Sequence, residues 1–220
     1  MATRRAVLLA SALIVTHAKA EDFMETELHV AAAANDAGRV KALLASGAKR
    51  DARDNAQRTP LLAATRANAV EAAAALIEAG ADVNAKDNIR DTPFLYAGAE
   101  GRLDILRLLL ATGRVNLKDT NRYGGNALIP ACHHGHPETV RELLKTEIAI
   151  DHINNLGWTA LLETIILSDG GSTHQDILRQ LIEAGANVNI ADKDGVPPLA
   201  HARQRGYAEM IVMLEKAGAN

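Results

Sequence analysis

The sequence has few aromatic residues and almost no cysteine. Phe, Trp and Tyr together make up 3% of its 220 residues, and Cys132 is the only cysteine, so no disulfide can form within the chain. Hydrophobic residues nevertheless make up 48%, and most of them are Ala and Leu. Small and unbranched apolar side chains favour close helix packing over the β-branched and aromatic composition that is typical of sheets. The composition therefore predicts a globular, helix-rich fold that is stabilised by packing alone.

The chain also lacks an excess of positive charge. It contains 24 Lys and Arg against 27 Asp and Glu, a net charge of −3 with neutral histidines. Binding to a nucleic-acid backbone needs a clustered positive surface, and the sequence shows none. It also has no HExxH motif, phosphate-binding loop, dinucleotide-binding glycine motif or GxSxG motif. We therefore expect no nucleic-acid partner, no cofactor and no enzymatic activity.

Residues 1–20 have the composition of a signal peptide. Arg4 and Arg5 precede an apolar run over residues 6–15, and the letters AKA at residues 18–20 fit a cleavage site. As a helix the run extends over about 15 Å, whereas the bilayer hydrocarbon is about 30 Å thick. We expect export to the periplasm or out of the cell, with no membrane span after signal removal. The general secretory route and the twin-arginine route both stay open.

Two stretches of nearly identical sequence indicate an internal repeat. They are LIEAGADVNAKD at residues 76–87 and LIEAGANVNIAD at residues 181–192. Their glycines belong to a series with steps of 33, 33, 34, 38 and 33 residues. The members of this series are Gly47, Gly80, Gly113, Glu147, Gly185 and Gly218. The period predicts six copies, and the glycine allows the left-handed conformation that ends the last helix of a copy.

A second series marks the start of the first helix in each copy. Its members are Thr26, Thr59, Thr92, Asn126, Thr159 and Pro197. Thr and Asn side chains accept hydrogen bonds from the free N–H groups of a first helical turn, and Pro fits the first helical position. Two short helices fit between this landmark and the glycine, and the polar residues that follow suit a β-hairpin finger. Copy five has five extra residues near SDGGST, which predict a longer loop between its helices with Thr173 as the new N-cap.

This unit resembles the ankyrin repeat. The matching motifs are Thr59-Pro60-Leu61, AGADVN at residues 79–84, Gly135-His136 and GWTAL at residues 157–161. The resemblance covers residues 25–220 and implies an all-α repeat solenoid, in which each copy has a helix-turn-helix and a β-hairpin finger. The domain at residues 21–220 then holds six repeats, at about residues 25–54, 55–87, 88–119, 122–154, 155–192 and 193–220. The sequence departs from the family pattern at Glu147 and at the Pro197-Pro198 start of the last copy.

The resemblance also implies a function. Ankyrin arrays usually bind proteins through their finger tips and the exposed ends of their first helices. We therefore expect a monomeric, non-enzymatic protein–protein interaction scaffold whose concave surface binds a partner protein. By register, the finger positions are Ile89, Asp91, Arg122, Tyr123, Leu156, Trp158 and Lys193, and the helix positions are Glu100, His133, His134, Ile166 and Leu167. An apolar hot spot is predicted in copies four and five, formed by Tyr123, Leu156, Trp158, Ile166 and Leu167.

Some of these residues allow a second interpretation. Trp158 precedes a cap residue, where an aromatic side chain also packs against the neighbouring finger. Ile166 and Leu167 are also candidates for burial beneath the SDGGST loop.

The alternative function is metal handling by Cys132, His133 and His134, because thiolate and imidazole bind zinc and copper. The register opposes this function, since Cys132 falls at a small, buried helix position and adjacent helical residues point about 100° apart. We therefore expect no metal site.

Overall fold

The computed structural model describes residues 22–220. The predicted signal peptide at residues 1–20 lies outside these residues and stays a prediction. Within the described chain, no helix combines the length and the apolar character that a membrane crossing requires. The chain is divided into two compact units, of which the first ends at Ala85 and the second extends over Lys86–Asn220.

The first unit contains two helix pairs. Its helices are α1 over residues 22–33, α2 over Ala37–Ala45, α3 over Pro60–Arg66 and α4 over Val70–Glu78. Helix α4 packs against both α2 and α3. Apolar residues at helical spacing supply these interfaces, and Val40, Leu61 and Leu76 are completely buried. Each such side chain contributes about 1.5–3 kcal/mol on burial, so these inward-facing positions stabilise the unit.

The second unit contains four helix pairs. Its helices are α5 over Pro93–Ala99, α6 over Leu103–Ala111, α7 over Leu128–His133, α8 over Pro137–Leu143, α9 over Ala160–Ile166, α10 over Ser172–Glu183, α11 over Pro198–Arg205 and α12 over Ala208–Lys216. The first helices pack in sequence, α5 against α7, α7 against α9 and α9 against α11. The second helices do the same from α6 to α12. The predicted repeat of two helices is therefore confirmed.

Threonine caps begin three of the first helices, α3, α5 and α9, as the sequence predicts. The hydroxyl oxygens of Thr59, Thr92 and Thr159 each accept the backbone N–H three residues later, at 3.1–3.2 Å. At α7 the residue before the helix is Ala127, one position later than predicted, and the amide oxygen of Asn126 accepts the N–H groups of Leu128 and Ile129 at 3.2 and 3.4 Å. These bonds satisfy donors that a first helical turn otherwise leaves unpaired, which fixes where each helix begins.

Two predicted helix starts are wrong. Residue 22 is already helical, so Thr26 lies inside α1, and its hydroxyl donates to the carbonyl of Asp22 instead of capping the helix. Thr173 lies inside α10, which begins at Ser172. Gly171, at φ −70° and ψ 174°, is the last extended residue before α10, and no side chain caps this helix. The glycine ends the loop by its backbone conformation alone.

The fingers differ from the predicted β-hairpins. None of residues 22–220 lies in a strand. Each finger is a five-residue turn in which the first N–H donates to the last carbonyl at 3.0–3.1 Å. We call these segments finger turns; they are residues 54–58, 87–91, 121–125, 154–158 and 192–196. Each of these segments is too short to extend into a ladder of strand hydrogen bonds.

Candidate functional site

An Asp or Asn side chain holds each finger turn from inside. It is the first residue of the turn, and its Oδ1 accepts the N–H groups of the third and fifth residues at 2.8–3.1 Å. The five residues are Asp54, Asp87, Asn121, Asn154 and Asp192. The sequence analysis missed them, although their signal is clear: an Asp or Asn stands five residues before each of the last five members of the series that marks the first helices. The side chain makes the finger backbone rigid before any partner binds.

Neighbouring finger turns touch in the second unit. The backbone N–H of Asn155 donates to the carbonyl of Tyr123 at 2.9 Å. Gly124 has φ 73°, and a Cβ at this position would collide with the Asn155 side chain. Gly157 has φ 83°, and its Cβ would lie 3.1 Å from the backbone nitrogen of Lys193. The turns at residues 121–125, 154–158 and 192–196 therefore form one continuous edge.

The predicted finger residues lie on the finger turns of the second unit. Tyr123 is 54% exposed, Leu156 is 42% exposed and Ile89 is 36% exposed. The guanidinium carbon of Arg122 lies 4.7 Å from the centre of the Tyr123 ring, a cation–π contact. Trp158 is partly buried, which fits both packing and contact with a partner. We call the finger row the set of Ile89, Asp91, Arg122, Tyr123, Leu156, Trp158 and Lys193.

The remaining predicted residues lie at the C-terminal ends of first helices. We call them the helix-end row: Glu100 after α5, His133 and His134 at the end of α7, and Ile166 and Leu167 at the end of α9. Leu167 is 39% exposed, whereas Ile166 is partly buried. The SDGGST loop does not cover Leu167, because the first residue of this loop is hydrogen-bonded to Tyr207. Its Ser168 carbonyl accepts the Tyr207 hydroxyl at 2.5 Å.

The structure divides the predicted apolar hot spot between the two rows. Tyr123, Leu156 and Trp158 are in the finger row, whereas Ile166 and Leu167 are in the helix-end row. Helix α9 separates Trp158 from Leu167, and its seven residues correspond to about 10 Å along the axis. A partner that contacts all five side chains must therefore cover both rows.

A buried carboxyl group lies between the two rows. Glu163, in the middle of α9, is 6% exposed. Its Oε1 accepts a hydrogen bond from Nδ2 of Asn154 at 2.7 Å, and its Oε2 lies 3.8 Å from Nδ1 of His133. Glu163 thus contacts a finger turn on one side and the helix-end row on the other.

Burial controls the ionisation of this carboxyl group. Desolvation raises the pKa of Glu163 to about 7, although the hydrogen bond from Asn154 and the charge of His134 act in the opposite direction. Burial also lowers the pKa of His133, and the nearby His134 and His174 add to that effect. The sequence analysis missed Glu163, a charged residue where the preceding copies have Ala63, Tyr96 and Pro130.

The geometry gives no support to metal handling at Cys132, His133 and His134. Cys132 is completely buried, and desolvation raises the pKa of its thiol far above the ordinary value, which disfavours the thiolate that a metal needs. Nδ1 of His134 is hydrogen-bonded to the carbonyl of Ala99 at 2.6 Å. Throughout residues 22–220, no three His, Cys, Asp or Glu side chains are placed to hold a metal ion.

Comparisons with known proteins agree with this architecture. The family model for ankyrin repeats (three copies) matches residues 6–87, 28–121 and 94–192. A solved ankyrin repeat domain from Acinetobacter baumannii AYE is 57% identical, with a TM-score of 0.86, over 89% of this chain and 100% of that domain. The ankyrin repeat domain of Bcl-3, described as a unique member of the IkappaB protein family, is 26% identical, with a TM-score of 0.79, over 88% of this chain and 86% of that one.

A curated bacterial relative matches part of the chain. The putative ankyrin repeat protein YahD of Escherichia coli strain K12 is 45% identical over 118 residues, which are 53% of this chain and 58% of YahD. The match thus spans little more than half of the length of YahD. Family model, relatives and helix packing agree, and the chain belongs to the ankyrin repeat family.

Proposed function

We propose that the protein is a non-enzymatic scaffold that binds a partner protein across the finger row and the helix-end row. Ankyrin repeats are generally protein–protein interaction modules, which supports this class of function. The observation that carries the assignment is the exposure of Tyr123 and Leu156 on two finger turns whose backbones are hydrogen-bonded to each other. Large apolar side chains on a rigid backbone lose little entropy on binding, so they make effective anchors.

Polar side chains surround these two anchors. Arg122 stacks on Tyr123, and Lys193, next along the same edge, is exposed. An apolar centre with a polar rim is the usual composition of a protein interface, because the rim keeps water away from the centre.

The test is crosslinking in cells, followed by mass spectrometry of what the tagged full chain captures. We expect the double variant Tyr123→Ala/Leu156→Ala to reduce capture of a specific partner at least tenfold, about 1.4 kcal/mol of binding free energy. The matched control is Val212→Ala, because Val212 is 44% exposed on α12, a second helix outside both rows. A partner that is captured equally by all three proteins would contradict the assignment to the finger row. The single variant Leu167→Ala tests the helix-end row separately.

We also propose that the protein is exported to the periplasm or out of the cell. The support is the sequence of residues 1–20, with two arginines, an apolar run and a cleavage site. Cell fractionation and N-terminal sequencing are expected to find the mature chain outside the cytoplasm, beginning at Glu21. Replacing Arg4 and Arg5 by Lys blocks export if the twin-arginine route is used and leaves it intact otherwise. Full-length protein that stays in the cytoplasm would refute export.

A further inference from the structure

We propose that Glu163 anchors a lysine side chain of the partner protein, which enters between the finger row and the helix-end row. The ammonium group of this lysine bridges Oε2 of Glu163 and Nδ1 of His133. The inference rests on the proposed function and deepens it, because the lysine belongs to the partner that the two rows bind.

One oxygen of the Glu163 carboxyl group is used within the chain, and the other is not. Oε1 accepts a hydrogen bond from Nδ2 of Asn154 at 2.7 Å. Oε2 accepts no hydrogen bond from residues 22–220, and its 3.8 Å separation from Nδ1 of His133 is too long for one. Solvent reaches Oε2, because it is not among the unbonded polar atoms that are closed off from water. The free oxygen is therefore an acceptor that a ligand can reach.

The surroundings of Glu163 favour a cation from outside the chain. The Asn154 donor supports the ionised carboxyl group, because a hydrogen bond to the charged form stabilises it. Glu163 is only 6% exposed, and in the described part of the chain no Lys or Arg side chain pairs with it. A buried carboxylate with an unpaired oxygen costs stability until an opposite charge reaches it. An ammonium group from the partner supplies this charge where the surroundings are poorly solvated, which strengthens the pair.

The spacing of the two acceptors fits one ammonium group. Oε2 of Glu163 and Nδ1 of His133 are 3.8 Å apart, so one nitrogen between them can lie about 2.8 Å from each. Burial lowers the pKa of His133 below its ordinary 6.5, which leaves the imidazole neutral and able to accept a hydrogen bond. Lysine fits better than arginine, because the planar guanidinium pairs best with two free carboxylate oxygens and only one is free here.

The neighbouring copies supply no donor to this oxygen. The residues that correspond to Glu163 are Pro130 in the preceding copy and His201 in the following copy. Pro130 has no side-chain donor, and Nε2 of His201 is paired with Oδ2 of Asp192 at 2.8 Å. The His133 side chain is 39% exposed, so a ligand can approach from its side. Copy five thus presents an acid that the array itself leaves half paired.

Model compounds test the site without a partner. Nα-acetyl-lysine methylamide is titrated into the full chain at pH 8 and constant ionic strength, while NMR records the Glu163 carboxyl carbon and the Asn154 side-chain amide. Desolvation raises the pKa of Glu163 to about 7, so at pH 8 the ionised form is in excess. We expect saturable shifts of both signals with the lysine compound, weaker binding of the arginine counterpart, and no shift with the uncharged norleucine counterpart.

Glu163→Gln removes the charge and keeps an oxygen that can accept the Asn154 hydrogen bond. We expect this variant to bind the lysine compound about tenfold more weakly than the wild type. The matched control Glu183→Gln makes the same change at an exposed residue at the end of α10, outside both rows, and is expected to bind as the wild type does.

Three results would overturn the proposal. The first is equal binding of the lysine compound by the wild type and Glu163→Gln. The second is equal binding of the lysine compound and either counterpart by the wild type. The third is a wild-type protein whose Glu163 and Asn154 signals do not shift at all, a result that is decisive even if the variant does not fold.

A captured partner tests the inference separately from the proposed function. A carbodiimide joins a carboxylate to an amine in direct contact, and we expect it to link Glu163 to a lysine of the partner. Capture that requires Tyr123 and Leu156 but is unchanged in Glu163→Gln retains the proposed function and overturns the lysine anchor. Binding of the lysine compound at Glu163, without any partner that requires Tyr123 and Leu156, retains the anchor site and refutes the finger row.

Discussion

Replacing Asn154 by Asp alters the contact between the finger turn and Glu163 and leaves the turn itself intact. Finger turns already begin with Asp at residues 54, 87 and 192, so the backbone bonds that the side chain accepts are retained. The Nδ2 donor to Glu163 is lost, and two carboxyl groups then face each other where the wild type has a 2.7 Å hydrogen bond. Such a pair has to keep one proton, because two adjacent charges repel strongly.

The loss of unfolding free energy that we expect for Asn154→Asp depends on pH. Burial raises the pKa of Glu163 to about 7 from an ordinary 4.5, so in the wild type its contribution to stability is complete below pH 4.5 and is lost as the pH rises through 7. At pH 6 Glu163 still holds its proton and donates it to the new carboxylate, so Asn154→Asp costs less than about 1 kcal/mol. Above pH 7 the folded variant keeps a proton that the wild type releases, and the cost grows by about 1.4 kcal/mol per pH unit.

Urea unfolding followed by far-ultraviolet circular dichroism, at pH 6, 7, 8 and 9, measures this cost. The matched control is Asn121→Asp, which makes the same change in a finger turn where Pro130 stands in place of an acid. We expect the control to show a constant cost from pH 6 to 9, and the double variant Asn154→Asp/Glu163→Gln to lose the pH dependence. An Asn154→Asp cost that is equal at pH 6 and 9 would refute the reasoning, as would an equal slope in the control.

Four further substitutions test the backbone and the packing, all by urea unfolding. Arg90 has φ 69°, so Arg90→Gly is expected to stabilise the protein by about 0.5–1 kcal/mol, and a loss of stability would contradict strain at this residue. Gly98→Ala is expected to lower the free energy of unfolding by about 1–2 kcal/mol, because the new Cβ would lie 2.9 Å from that of Ala127. Its control is Gly38→Ala, whose nearest contact is at 3.5 Å and which is expected to stabilise the protein by about 0.5 kcal/mol. Equal effects of the two substitutions would rule out the close approach at Gly98. Thr159→Ala removes a helix cap and is expected to cost about 1 kcal/mol, and an unchanged stability would show that the hydroxyl has no such role.

Local signals with one chemical meaning were enough to predict the helix pairs. Thr59, Thr92 and Thr159 cap helices because the free N–H groups of a first turn need an acceptor, whatever the rest of the fold does. Thr26 carries the same signal but lies inside α1, because residues 22–25 before it are already helical. It is therefore not at the first turn, where free N–H groups need an acceptor. A capping residue thus identifies a helix start only when the preceding chain is extended.

The site was harder to predict because its geometry depends on two elements at once. The exposure of Tyr123 and Leu156 was predictable by register, since exposed positions repeat with the period. Glu163 was missed because its contacts are with Asn154 on the finger turn and His133 on α7, and no periodicity of α9 alone indicates either contact. The predicted hot spot was divided for a similar reason. Trp158 and Leu167 belong to the same repeat but lie before and after the seven-residue helix α9.

The extra residues of copy five show where this architecture takes up additional length. They enlarge the segment that joins α9 to α10, yet α9 still packs against α7 and α11, and α10 against α8 and α12. The side chain of Asp169 in this segment is 85% exposed, and the neighbouring Ser168 and Gly170 are anchored by Tyr207 and Gln175. An engineered epitope or fluorophore at residue 169 would therefore be attached to a loop whose neighbouring residues are fixed by hydrogen bonds, at the opposite end of α9 from its finger turn. Protein engineers can treat this connection as an attachment point that leaves the packing of the helix pairs unchanged.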